Sequence, residues 1–141
     1  MPRPSVQLTA TVIGAPDPHL LARFYAELLG WEIHRLEDDW ATVRDPEGGA
    51  GLSFQAEKLH RRPVWPGNKV DQQMMMHLDF QVEDLEAASA HAVSLGASVA
   101  GFQPQDDVIV HFDPVGHPFC LWIVVDEGEG EGAEADRKSV V

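Results

Sequence analysis

The seven residues Met74-Met75-Met76-His77-Leu78-Asp79-Phe80 decide the fold, because they open the second copy of a pattern the chain has already displayed once. The run predicts a buried strand. Strand side chains swap faces at every residue, so Met74, Met76, Leu78, Phe80 and Val82 fall on one face and Met75, His77, Asp79 and Gln81 on the other. One face is core, and the other carries the chemistry.

Outward from this stretch the repeat is visible in its punctuation. Val12 to Asp17 leads into an apolar-periodic segment, Pro18 to Leu29, that stops at Gly30; Phe80 to Asp84 leads into Leu85 to Leu95, which stops at Gly96. Asp45-Pro46-Glu47-Gly48 follows the first stop and Asp113-Pro114-Val115-Gly116 the second. The pairs Asp17/Asp84, Gly30/Gly96 and Asp45/Asp113 are 67, 66 and 68 residues apart, which marks two copies of one unit.

Each copy reads the same way. In the first, Ser5 to Ile13 is a predicted strand, Asp17 caps a helix whose first position is Pro18, and Gly30 ends it. Trp31 to Leu36 and Trp40 to Arg44 form a predicted hairpin, and Gly51 to Gln55 a last strand. The second copy gives strand Met74 to Val82, helix Leu85 to Leu95, and strands Ala97 to Phe102, Val108 to Phe112 and Phe119 to Val125. The expected organisation is a first βαβββ unit over 1–56, a connector or lid over 57–73, a second unit over 74–125 and an acidic disordered tail over 126–141. That tail has six acids, two bases and alternating glycines, too little apolar surface to fold.

Composition narrows the function classes. A formal charge of -13 argues against a phosphate backbone as partner, so no nucleic acid is expected. No apolar run reaches the roughly 18 to 20 residues of a membrane span, and nothing resembles a signal-peptide core, so a cytoplasmic protein without membrane attachment is expected. A single cysteine, Cys120, excludes an internal disulfide and a Cys-rich metal site.

Several stretches carry a resemblance: Phe24-Tyr25-x-x-Leu28-Leu29-Gly30-Trp31, His77-Leu78-Asp79-Phe80-x-Val82-x-Asp84-Leu85, Leu95-Gly96-Ala97 and Asp113-Pro114-x-Gly116-His117-Pro118-Phe119-Cys120-Leu121. Over roughly residues 6 to 125 the chain resembles the vicinal oxygen chelate superfamily of glyoxalase I, bleomycin resistance proteins and extradiol dioxygenases, and within it the glyoxalase-like branch. The resemblance implies an α+β fold of two tandem βαβββ units, with curled sheets around a cleft, helices outside, and a homodimer. It also implies a divalent cation held by His or Glu on the first and last strands of each unit. Those positions fall here on Ala10, on Ser53 (or Gln55 if the register slips by two), on His77 and on Cys120, so one expected ligand in four is present.

No cofactor is therefore expected; a divalent metal, if present, would use His77. An unorthodox set would add Asp79 and His111 or His117, and a softer one would join a Cys120 thiolate to His77, short of the about three donors such an ion needs. His77 and Asp79 are the candidate catalytic residues, either as an acid–base pair or as a buried histidine and its partner. Trp40, Phe54, Gln55, Trp65, His111, Cys120 and Trp122 are candidate ligand contacts, each with a plain packing role as its alternative. Arg61 and Arg62 make the connector either a lid over an anionic or aromatic ligand or a spacer.

Three readings follow. One is binding or sequestration of a small aromatic or apolar molecule, as in bleomycin resistance proteins, without the full metal site. The other is a metal-dependent lyase, isomerase or dioxygenase of the glyoxalase kind using His77. An interaction module with a vestigial cleft is the third.

Overall fold

The protein is represented by a computed structural model that describes residues 3–124. The chain divides after His60 into two compact units, each with one helix and one four-stranded mixed sheet. The acidic segment 126–141 lies outside the described residues.

In the first unit β1 (Ala10–Ala15) runs into α1 (Pro18–Leu29), followed by β2 (Glu32–Glu37), β3 (Trp40–Arg44) and β4 (Gly51–Ala56). The sheet order is β1-β4-β3-β2, with β1 parallel to β4 and the other pairs antiparallel. The helix begins as its sequence dictates: the Asp17 side chain accepts from His19 N at 3.1 Å and Leu20 N at 3.3 Å, and Gly30 takes the left-handed conformation, φ 72, that a β-carbon would disfavour. Leu21, Phe24 and Tyr25 of α1 pack on Ala41, Val43, Leu52 and Phe54 of the sheet, all buried. The rings of Tyr25 and Phe54 stack with centroids 5.8 Å apart.

The second unit repeats this order with β5 (Leu78–Gln81), α2 (Leu85–Ser94), β6 (Ser98–Val99), β7 (Val108–Phe112) and β8 (Pro118–Trp122), in sheet order β5-β8-β7-β6. Pairing is repeated to the residue. Val12 lies opposite Ser53 and Asp79 opposite Cys120, each member 67 positions after its counterpart; Thr42 opposite Ser53 matches Val110 opposite Cys120. The Asp-Pro turn is built by the same bonds in both copies: Asp45 Oδ1 accepts from Glu47 N at 2.8 Å, and Asp113 Oδ1 from Val115 N at 3.0 Å.

Strand lengths depart from the sequence reading where a partner strand is missing. β5 begins at Leu78 and not at Met74, and Met75 and Met76 are 79% and 71% exposed. Pairing with β8 starts only at Leu78 opposite Phe119, while the chain just upstream pairs with the connector through the Val64–Gln73 bridge. β1 likewise starts at Ala10, where β4 begins, leaving Val6 and Leu8 exposed. β6 shrinks to two residues, and β8 ends at Trp122.

Candidate ligand-binding site

One face of each sheet is covered by its helix, and the chemistry gathers on the opposite face of the second unit. Alternation along β8 sends Phe119 and Leu121 toward α2 and Cys120 and Trp122 away from it. There Cys120 and Trp122 pack with Ala100, Val108 and Val110, and with Trp65 and Phe112 at the margin. His77 and Asp79, two residues apart, lie on this same face, and their side chains meet: His77 Nε2 is 3.2 Å from Asp79 Oδ1. The Trp65 ring lies over His77, centroids 5.0 Å apart and planes inclined by 28°.

Two of the three polar side chains, His77 and Cys120, converge as donors on the third, the Asp79 carboxylate. Cys120 is fully buried, and its thiol is pushed up to about 12, first by burial, then by the negative charge of Asp79 and by its hydrogen bond to that carboxylate. The thiol therefore stays protonated and donates to Asp79, which also accepts from His77 Nε2. In the neutral imidazole this leaves Nδ1 as the acceptor. A carboxylate that is costly to bury alone is thus held by two neighbours and by partial exposure.

His111, expected as a ligand contact, lies on the other face of β7. It is fully buried, its Nε2 is 2.8 Å from Ser89 Oγ on α2, its Nδ1 donates to the Ile109 carbonyl at 3.1 Å, and its ring stacks on Phe119 at 5.1 Å. Burial lowers its pKa, partly offset by the bond to Ile109. Phe54 is corrected likewise, since it packs under α1 against Tyr25. The parity of each strand explains both: His111 is one residue from Val110, and Phe54 one from Ser53, so each falls on the helix side.

Trp40 and Gln55 do lie on the open face of their own sheet, opposite one another across β3 and β4. That face carries a shallow groove of about 440 Å³ lined by Trp40, Thr42, Ser53, His34 and Arg44 among others. Thr42 Oγ1 is buried there without a hydrogen-bond partner among the described residues. Arg62 Nη1 donates to the Pro114 carbonyl at 3.0 Å. The sequence reading missed the apolar floor of Val108, Val110 and Ala100, although the alternation of Val108 to Phe112 contained it.

A paired βαβββ architecture with this strand order is that of the vicinal oxygen chelate fold. A family model described as "Glyoxalase-like domain" matches residues 10–122, and the chain belongs to that family. Among solved structures it is similar to a glyoxalase/bleomycin resistance protein/dioxygenase family enzyme from Burkholderia phytofirmans PsJN, with 16% identity over 85% of this chain and 100% of that one, TM-score 0.65. It is also similar to a glyoxalase-related enzyme from Fulvimarina pelagi (18% identity, 83% and 87% covered, TM-score 0.61) and to a possible glyoxalase from Bacillus cereus (14% identity, 84% and 99% covered, TM-score 0.62). At these identities the likeness concerns the fold. No curated protein matches the chain.

The residues at the four expected metal positions do not fit a hard-cation site. Ala10 has no donor, Ser53 offers a neutral hydroxyl, and Cys120 is a protonated thiol where a carboxylate would be needed; His77 alone conforms. No helix among the described residues is long and apolar enough to cross a membrane.

Proposed function

We propose that the protein binds a small, flat, largely apolar molecule beside the half-buried Trp65 and His77, at the margin of the second sheet's buried apolar cluster, as a binding or sequestering protein of the bleomycin-resistance type. The observation that carries this reading is the stacking of Trp65 on His77, both half-buried, at the edge of the buried cluster of Val110, Cys120 and Trp122. Such a surface combines rings for a planar ligand with one hydrogen-bonding histidine whose orientation is fixed by Asp79, the mixture typical of small-molecule sites. Family membership supports a homodimer as the working form, and the acidic, membrane-span-free described chain supports action in the cytoplasm.

The second reading, a lyase, isomerase or dioxygenase, is favoured by the His77–Asp79 contact. In it Asp79 holds the imidazole so that Nδ1 faces a substrate proton.

Thermal-shift measurement against a panel of flat aromatic compounds, on metal-free protein, tests the first reading. A true ligand at about 100 times its dissociation constant stabilises the fold by about 2.7 kcal/mol. The shift should vanish in Trp65→Ala and shrink in His77→Ala. If no planar compound stabilises the protein, or if a hit is indifferent to both substitutions, the binding reading fails.

A further inference from the structure

We infer that the groove on the open face of the first sheet is a binding site for a small aromatic carboxylate, with Arg44 holding the carboxylate and Trp40 the ring. The groove encloses about 440 Å³, within the usual range of small-molecule sites, and residues of the first unit alone line it. Trp40, Thr42 and Arg44 alternate onto this face of β3, and Ser53 of β4 stands opposite Thr42. Four residues of strand set Trp40 and Arg44 about 13 Å apart, a span bridged by one ring carrying a short carboxylate arm.

Strand β2 gathers positive charge at one end of the groove. Its pairing with β3 slips between Ile33 and Arg35, a bulge that puts His34 as well as Arg35 into the groove wall. Arg44 Nη2 lies 2.8 Å from Nδ1 and 3.0 Å from Nε2 of the His34 ring, so the imidazole props the guanidinium by accepting from it. Arg44 has no ion-pair partner among the described residues, which leaves the rest of its planar fork for an incoming carboxylate. Arg35 adds a second positive charge, tied only to exposed Glu37 at 3.5 Å. The one acid in the wall, Asp45, is bound into its own turn: Oδ1 accepts from Glu47 N at 2.8 Å, and Oδ2 closes over Gly49. In a chain of formal charge -13, two arginines beside one turn-bound acid favour an anion.

The second copy shows that the strand pairing itself requires none of these polar groups. Val108, Val110 and Phe112 take the places of Trp40, Thr42 and Arg44, and Cys120 that of Ser53, as one packed apolar set. A merely solvated face would account for exposed Arg44, but not for the middle of the groove. There Thr42 Oγ1 is buried without a hydrogen-bond partner among the described residues, and Ser53 opposite it is only 5% exposed. Buried hydroxyls are normally paired, and a polar ligand lying between ring and guanidinium supplies a partner.

The test titrates the full chain calorimetrically with cinnamate, using cinnamamide as the uncharged counterpart and acetate as the carboxylate without a ring. Cinnamate should saturate the protein, with cinnamamide and acetate each about tenfold weaker or worse, the loss expected when a charge-assisted contact or a ring contact is removed. Added salt should weaken cinnamate and leave cinnamamide unchanged. Arg44→Gln, at an exposed position, should keep the fold, lose about tenfold for cinnamate and lose nothing for cinnamamide. Trp40→Leu should remove the preference for cinnamate over acetate. Thr42→Val should keep the wild-type melting temperature or raise it, yet weaken cinnamate by a few fold. Absence of saturable cinnamate binding by folded protein overturns the inference, as does equal affinity for the amide or undiminished cinnamate binding by Arg44→Gln. A neutral planar compound bound beside Trp65 would show none of this dependence on charge, so failure here and failure of the proposed function are distinguishable.

Discussion

Alkaline pH should destabilise the metal-free protein through one buried thiol. The Cys120 thiol is held at about 12 in the folded chain against an ordinary 9.0, so the native state keeps this proton where the unfolded chain gives it up. For an acid whose pKa is raised by folding, the full contribution is present below the unfolded value and is lost as pH climbs toward the folded one. The window is thus pH 9 to 12. Each unit within it costs about 1.4 kcal/mol, so stability falls by about 1.4 kcal/mol at pH 10, with a ceiling near 4 kcal/mol. Urea unfolding of wild type and Cys120→Ala with chelator present, from pH 7 to 10.5, measures it. Tyrosine and lysine side chains of the unfolded chain ordinarily lose protons in this range, so the diagnostic is the difference between the two proteins. That difference should be flat to about pH 8.5 and then narrow with the stated slope. A constant offset across the whole range would refute the reasoning, because it would mean the thiol is no harder to ionise folded than unfolded.

Other perturbations have equally definite outcomes. Phe54→Ala should cost about 3 to 5 kcal/mol in denaturant unfolding, because it empties the space under α1 that Tyr25 and Phe54 share. Burial lowers the His111 pKa, so the stability it confers is present above its ordinary 6.5 and is lost as the unfolded chain takes up a proton below it. A wild-type acid limb beginning near that value, and missing in His111→Phe, is the expected titration result. Thr42→Val should be neutral or stabilising by thermal melting, since the hydroxyl it removes is buried without a partner among the described residues. Trp65→Ala should leave the unfolding midpoint close to wild type while abolishing planar-ligand shifts, because Trp65 sits at the margin of its cluster.

The repeat, its helices and its turns were legible because each rests on local chemistry: a capping aspartate, a left-handed glycine, an Asp-Pro-x-Gly turn. Strand ends were less so. Met74 to Met76 alternate like a strand, but a strand needs a neighbour, and β8 reaches back only as far as Phe119. On the candidate site, the sequence placed His77 and Asp79 on one face, yet contact between them depends on rotamers that spacing does not encode. Assigning His111 to the ligand was an error of parity: β7 turns Val110 toward Cys120 and hence His111 toward Ser89. The seat of Trp65 on His77 was beyond reach from the sequence, because the connector's path has no periodic pattern to follow.

The matched pairing frame of the two sheets also makes the cluster portable. Ala10→His, Val12→Asp and Ser53→Cys would rewrite the first half with the second half's lettering, on strands whose pairing is already aligned to receive it. A chain carrying the transplanted trio would offer two such hydrogen-bonded clusters in place of one, so doubling within a single sequence becomes a means of engineering.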